Sequence, residues 1–506
     1  MLAIVSSATV IGVDGCPVSV EVHVAGGLPA YTVVGLPDAA CRESRDRVRA
    51  ALLSTELEWP QQRVTVNLAP TSVPKSGAGL DLATAVAILA ATGQVPAHSV
   101  ADHAFVGELG LDGTVRPVPG MVSAAASVTD RNLVVAAANA AEAELVGRHR
   151  VRAARDLRQI VEALRGEASW PPPPEGVVDT SITPTPPDLA DVRGHLTGRR
   201  ALEIAAAGGH NLLMSGPPGS GKTMLATRLP GLLPPLESDA ALEVTRIHSA
   251  GGLPLPPGGL ITIPPFRAPH HSASVVSLVG GGGGRGALRP GEVSAACHGV
   301  LFLDELGEFP PVVLDQLRQP IEEGRIRLHR ARASIELPAR VLLVAATNPC
   351  PCGASGAPGS CRCTDAARAR YVRRLSGPLM DRFDLRLTIV RPETSELLGG
   401  SVGERSAVVA QRVAAARERS RSRGVASNAT LASSQLDEVA SLSDDAVGLL
   451  RRHLDQGRLS ARGFDRIRRV ARTVADLAGC DSVDTAHVSE ALALRSDDLR
   501  TARSVA

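Results

Sequence analysis

Lysine is nearly missing from this chain. Of its 54 basic residues only Lys75 and Lys222 are lysines, and the rest are arginine. With the surplus of Ala, Gly, Val and Pro this reads as a GC-rich coding bias, under which a retained lysine points to chemistry of its own. Aromatics are scarce too, at 2% of 506 residues, which leaves little from which to build an aromatic grip on a substrate. No uncharged stretch of ~18 residues looks like a membrane-spanning helix, so no membrane partner is expected. The opening "MLAIVSSATVIGVDG" lacks a basic n-region and its apolar run is short, so no signal peptide is read and a cytoplasmic, reducing location is expected. Disulfides are then a poor use for the eight cysteines. A net charge of +2 gives no global footprint for nucleic acid, and any basic surface must be local.

What is present is an ordinary globular composition, 44% hydrophobic and 21% charged, in a chain long enough for about three domains. Residues 1–168 read as mixed α/β, with alternating strands such as "SVEVHVAG" and "RVTVNLAP" and helical spacing in "AACRESRDRVRAALLS" and "LDLATAVAILAATG". Residues 169–189 hold the proline-rich connector "WPPPPEGVVDTSITPTPPDL", extended and stiff. From 190 to 392 the pattern becomes strand–loop–helix around "NLLMSG", "GVLFLDEL" and "RVLLVAATN", the pattern of a parallel sheet covered on both faces. Residues 393–506 have helical spacing nearly throughout, as expected for a helical lid.

"GPPGSGKT" fits the phosphate-loop pattern in full: Gly216, Pro217, Pro218, Gly219, Ser220, Gly221, Lys222 and Thr223. It follows an apolar strand and opens a helix, the context the motif needs. The backbone N–H groups and the helix N-terminus would cradle phosphates, Lys222 would reach the outer ones, and Thr223 would ligate Mg²⁺. The apolar strand of "GVLFLDEL" ends in two carboxylates at what would be the ligand edge of the sheet. There Asp304 would hold the Mg²⁺ shell and Glu305 would polarise the attacking water as a general base. "RVLLVAATN" puts Asn348 at the end of a third strand, where its amide could orient the water or sense the terminal phosphate.

These motifs resemble an AAA+ ATPase core. With "FRAPHHSAS" (266–274), "LRPGEVSAACHGVLFLDEL" (288–306), "ATNPCPCG" (346–353), "RLSGPLMDRFDL" (374–385) and "LSARGFDRIRRVARTVADL" (459–477), the whole chain resembles the ComM/YifB family of magnesium-chelatase-like proteins. The resemblance implies an ATP-hydrolysing homo-hexamer with nucleotide between subunits and no pigment substrate. It makes Arg382 the arginine finger supplied to a neighbour, with Arg373 and Arg374 as rivals, and Arg462 the sensor arginine of the lid. It also implies a motor acting on DNA, by helicase action or branch migration, and an N-terminal domain of Lon-protease type. The protease's serine–lysine dyad has no counterpart here. The serine's place falls at about Gly79, and the lysine expected after "RPVPG" is replaced within "MVSAAAS".

The residues offer their own argument about the substrate. "EEGRIRLHRARASIELPA" (322–339) alternates as a β-hairpin between the acids and Asn348, and carries Arg325, Arg327, Arg330 and Arg332 without an aromatic. A ring of such hairpins suits phosphate backbones better than polypeptide. The bland alternative is a solvated hairpin whose arginines pair with Glu322, Glu323 and Glu336. Two further readings stand beside the DNA motor. One is a protein-remodelling ATPase like the magnesium-chelatase motor subunit, disfavoured because that subunit is expected to lack the N-terminal domain and the cysteine cluster. The other is an ATP-dependent protease, disfavoured by the missing dyad. The adjacent His270 and His271, on what reads as an extended segment, would point opposite ways and are taken as structural or subunit-contacting.

Half of the cysteines fall in one window. Cys350, Cys352, Cys361 and Cys363 form C-x-C-x₈-C-x-C, directly after Asn348. Four thiolates can surround one tetrahedral ion, with Zn²⁺ the expected metal and an iron–sulfur cluster the alternative.

Overall fold

The computed structural model describes residues 1–75, 77–172, 185–282, 288–330, 333–354, 361–375, 377–399 and 403–495. Ser76, most of the proline-rich connector, Arg332 and the middle of the cysteine loop lie outside the described residues, and nothing is said of the Arg330 side chain.

Strict alternation of small branched residues builds the first sheet. It comprises β1 (Leu2–Ile11), β2 (Asp14–Ala25), β3 (Ala30–Val34), β4 (Arg63–Ala69), β5 (His103–Val106), β6 (Asn132–Ala136) and β7 (Arg150–Ala154). Their order across the sheet is β3-β4-β2-β1-β5-β6-β7. Along β2, Val18, Val20, Val22 and Val24 are buried, while Ser19, Glu21 and His23 point the other way, as a period of two requires. Helices α1 (Ala39–Ser54) and α2 (Asp81–Ala91) close the valine face, and every residue of α2 is buried. A third helix, α3 (Met121–Ser127), lies over β2 from the other side.

The second sheet positions the site. After α4 (Leu196–Gly208) come β8 (Leu212–Ser215), α5 (Lys222–Ala226), α6 (Ser238–Gly251), β9 (Phe266–Arg267) and β10 (Val300–Leu303). Then follow α7 (Pro311–Glu323), the antiparallel hairpin β11 (Arg325–Arg330) and β12 (Ala333–Pro338), β13 (Leu342–Thr347), α8 (Asp365–Arg374) and β14 (Leu385–Thr388). The order is β9-β10-β13-β8-β14, every pair parallel. Leu212 and Met214 enter one apolar cluster and Leu213 the opposite one, because both faces of the sheet are covered. All five strands therefore present their C-terminal ends on one edge, where open α/β sheets bind ligands.

The C-terminal residues form α9 (Ser406–Ser422), α10 (Asp444–Asp455), α11 (Ala461–Leu477) and α12 (Thr485–Ala493). Val409, Val413, Ile467, Val470 and Val474 join the cluster that backs the sheet through α4. The N-terminal region touches the second sheet's insertions twice. Arg246 on α6 donates to the Val13 carbonyl and the Ser123 hydroxyl, each at 3.3 Å, and Ser249 donates to Glu142 at 2.6 Å. The inward residues of the hairpin, Ile326, Leu328, Ile335 and Leu337, share a cluster with Val10 and Val13. Among the described residues no helix is long and apolar enough to cross a membrane.

Candidate nucleotide site and cysteine loop

The phosphate loop spans the turn from β8 into α5, at the ligand edge of the parallel sheet. Pro218 to Thr223 line a cavity of about 450 Å³, together with Met224, Asp304, Glu305, Thr347 and Asn348. Three strand ends thus converge, from β8, β10 and β13, which are neighbours in the sheet though distant in sequence. Lys222 is buried and its Nζ donates to the carbonyls of Gly216 (2.7 Å) and Pro217 (3.0 Å) and to Asn348 Oδ1 (3.4 Å). Burial pulls its amine below the ordinary lysine range, and the charges of Asp304 and Glu305 oppose that shift. Thr223 Oγ1 donates to Asp304 Oδ2 at 2.7 Å, so the hydroxyl and carboxylate that suit one Mg²⁺ already sit side by side.

Glu305 is a non-glycine residue in left-handed backbone, with φ +51°, which turns its carboxylate out of the line of β10. His271 receives it, Nδ1 lying 3.2 Å from Glu305 Oε2. His271 is flanked by the His270 ring at 4.0 Å and meets Phe309 edge-on at 6.4 Å. This corrects the expectation that the two histidines point opposite ways. They lie past the two-residue strand β9, at the start of a turn, so strand alternation does not apply. A second residue that sequence reasoning missed is Arg391, whose Nη2 donates to the Pro218 carbonyl at 2.9 Å. Its signal was position, three residues beyond the end of β14 on the ligand edge.

The cysteine loop leaves β13 directly beside this cavity. All four Sγ atoms of Cys350, Cys352, Cys361 and Cys363 lie within 4.8 Å of one another. Cys350 is 3.4 Å from Cys352 and 3.8 Å from Cys361, and Cys352 is 3.7 Å from Cys361. Four sulfurs around a tetrahedral ion with ~2.3 Å bonds stand roughly 3.8 Å apart, so the donor set fits one such metal. Backbone N–H groups of Ala354 and Arg362, with the neighbouring thiols, favour the thiolate at Cys352, while the thiols of Cys352 and Cys350 push Cys363 the other way, so these sulfurs titrate as one group. The loop also touches the phosphate loop. Gly353, at φ +76°, lies so close to Pro218 that a Cβ there would meet its ring at 2.4 Å. Beyond the loop, Tyr371 on α8 is buried against Gly307 and Thr347.

Three family descriptions match the chain in succession: "Subunit ChlI of Mg-chelatase" at residues 20–139, "Magnesium chelatase, subunit ChlI" at 188–397, and "Magnesium chelatase, subunit ChlI C-terminal" at 403–495. YifB of Salmonella typhimurium is 44% identical over 98% of this chain and 97% of its own length. An uncharacterized protein of Mycobacterium tuberculosis is 46% identical over 98% of both. Competence protein ComM of Haemophilus influenzae is 43% identical over 98% of this chain and 97% of its own. The chain belongs to the ComM/YifB family of magnesium-chelatase-like proteins.

Family membership and the parallel sheet with its phosphate loop support an AAA+ ATPase role. Of the residues expected to serve such a site, the fold brings together the phosphate loop, Asp304, Glu305 and Asn348. Arg382 and Arg462 do not line the cavity. Arg382 is bound to Glu322 of its own chain, and Arg462 is exposed in the first turn of α11. On the hairpin, Arg325 pairs with Glu336 at 3.0 Å, and Arg327 pairs with Glu323 at 3.2 Å and Glu336 at 3.4 Å. Those are contacts of the bland alternative, except that Glu322 goes to Arg382 rather than to the hairpin. Lys75, the other lysine, is 1% exposed and donates to the Pro70 carbonyl, with burial lowering its basicity.

Proposed function

We propose that this chain is a hexameric AAA+ motor that hydrolyses ATP to move along or remodel DNA. In that reading Lys222 binds the outer phosphates, Thr223 and Asp304 hold Mg²⁺, and Glu305 takes the proton of the attacking water while Asn348 orients it. Arg382 from a neighbouring subunit stabilises transition-state charge, an effect of ~10³–10⁵ in rate for such fingers, and Arg462 acts from the helical lid. The four cysteines hold a structural Zn²⁺ with no open coordination position, bracing the path from Asn348 to Pro218. The N-terminal region is a Lon-like domain that serves as a non-proteolytic platform.

One observation carries the DNA part. The hairpin springs from between β10 and β13, the strands that end in Asp304, Glu305 and Asn348. Its apolar face is anchored, while Arg325 and Arg327 line the other face at a spacing of two. A phosphate backbone on those arginines would be linked through two strands to the reacting phosphate.

A second reading has its own support. The description "Subunit ChlI of Mg-chelatase" matches residues 20–139, so the N-terminal region does not separate this chain from a chelatase-type motor serving a protein partner. Turnover of the purified chain with single-stranded DNA, forked DNA, casein and no addition distinguishes the two. DNA is expected to raise turnover, and unchanged turnover and oligomerisation with both DNAs would end the leading reading.

A further inference from the structure

Arg382 stands where a group meant for a neighbouring subunit would have to leave its own. Its carbonyl accepts from Asn211 Nδ2 at 3.0 Å, which fixes its backbone beside β8. Its guanidinium is folded back. Nη2 donates to Glu322 Oε2, Nε is buried without a hydrogen-bond partner among the described residues, and the side chain is only 20% exposed. A carboxylate of the same subunit thus takes the place that a phosphate oxygen of the neighbour's nucleotide would fill.

Glu322 is next to last in α7, and its neighbour turns the other way. Glu323 pairs with Arg327 of the hairpin. The helix end is tied to the hairpin through the backbone as well: Gly324 N–H donates to the Pro320 carbonyl and Ala339 N–H to the Gly324 carbonyl, both at 2.9 Å. One helix end therefore grips the interface arginine with one carboxylate and the hairpin with the next. Two carboxylates at the negative end of a helix dipole are tolerable while each has its arginine. When a phosphate takes Arg327, Glu323 keeps only the neutral amide of Gln319, at 2.7 Å, its charge is no longer balanced, and the last turn is repelled from within.

We propose that Glu322 is a positioning residue, holding Arg382 in its own subunit until an anionic backbone on the hairpin loosens the end of α7. The proposal rests on the reading of Arg382 as the group that acts across the subunit interface. It adds what that reading lacks, a reason for the finger to respond to ligand on the hairpin.

The test is steady-state ATP turnover of the purified full chain, with and without single-stranded DNA, for wild type, Glu322→Gln, Glu322→Asp and Arg382→Ala. A partly exposed ion pair biases two positions of a side chain by about two- to fivefold. Glu322→Gln should therefore raise basal kcat by about that factor with little change in KM, and shrink the stimulation by DNA correspondingly. Glu322→Asp should restore wild-type behaviour, and a structural role alone would not move the stimulation ratio at unchanged melting temperature. Unchanged basal turnover in Glu322→Gln beside an inactive Arg382→Ala overturns the latch and leaves the finger reading intact. Full turnover in Arg382→Ala overturns the finger reading itself, and the latch with it.

Discussion

The contact between Gly353 and Pro218 makes the cysteine loop part of the nucleotide site, and Gly353→Ala measures it. A Cβ at residue 353 would stand 2.4 Å from Pro218 Cδ and 2.7 Å from Cγ. Carbon atoms pack at ~3.5–4.0 Å, so about 1 Å must be recovered by moving one loop. Pro218 is a rigid ring within the phosphate loop, and the other side is held by the buried Cys350. Misplacing a reacting group by about 1 Å costs on the order of a hundredfold in rate. Alanine at φ +76° adds about 1–2 kcal/mol of backbone strain. Gly479→Ala separates the two effects, since Gly479 has φ +74° and nothing within 4 Å of its Cβ position. Both variants should melt a few degrees lower, about 2–4 °C per kcal/mol for a large domain. Gly353→Ala alone should lose ATP turnover, by about ten- to a hundredfold, because only there does the phosphate loop shift. The assay is ATP turnover beside a thermal melt. Equal turnover in the two variants would refute the argument that the loops bear on each other.

Other outcomes follow from the same geometry. His271→Ala should free the Glu305 carboxylate toward the cavity and raise basal turnover about two- to fivefold, and a fall would show that His271 instead orients it productively. Metal analysis of the purified chain should find about one zinc per chain, and changing all four cysteines to serine should abolish it and depress ATP turnover. Near-zero zinc in wild type rules the metal out, and full turnover without the cysteines rules out its bracing of the nucleotide site. Hydrogen bonds with Cys297 and Glu243 raise His298 from 6.5 to about 9. The proton is held more tightly in the folded chain, so its stabilisation is complete below pH 6.5 and is lost as pH rises through 9. His298→Asn suits the left-handed φ of +57° and removes that titration. The melting temperature of wild type should exceed the variant's at pH 6 and converge with it above pH 9, and a constant gap would refute the assignment.

Elements whose signal is local were legible in the sequence. The span from Ala39 to Ser54 was readable as a helix from its spacing alone, and the apolar strand ending at Leu303 was readable from its run of four. The phosphate loop is a contiguous pattern whose glycines, lysine and threonine need no distant partner to be recognised. The pair Asp304 and Glu305 could be placed because a parallel sheet points its strand ends to one edge, whatever the loops do. The histidines failed for the opposite reason. Strand alternation was applied to residues 270 and 271, but β9 ends at Arg267 and the chain turns before them. The partner of His271, Glu305, lies 34 residues further on, a pairing no local pattern encodes.

By itself, then, the sequence determined the chemistry on offer: which phosphate loop, which acids, which thiols, and which strands would carry them. Local spacing suffices for that, because hydrophobic periodicity and short motifs act over a few residues. Only the tertiary structure decided which groups face which. It set Glu305 against His271, Arg382 against Glu322, Arg327 against Glu323 and Gly353 against Pro218. These pairings depend on how the hairpin and the cysteine loop fold back over the sheet edge. Ion pairs and van der Waals contacts act over a few ångströms, whatever the distance along the chain.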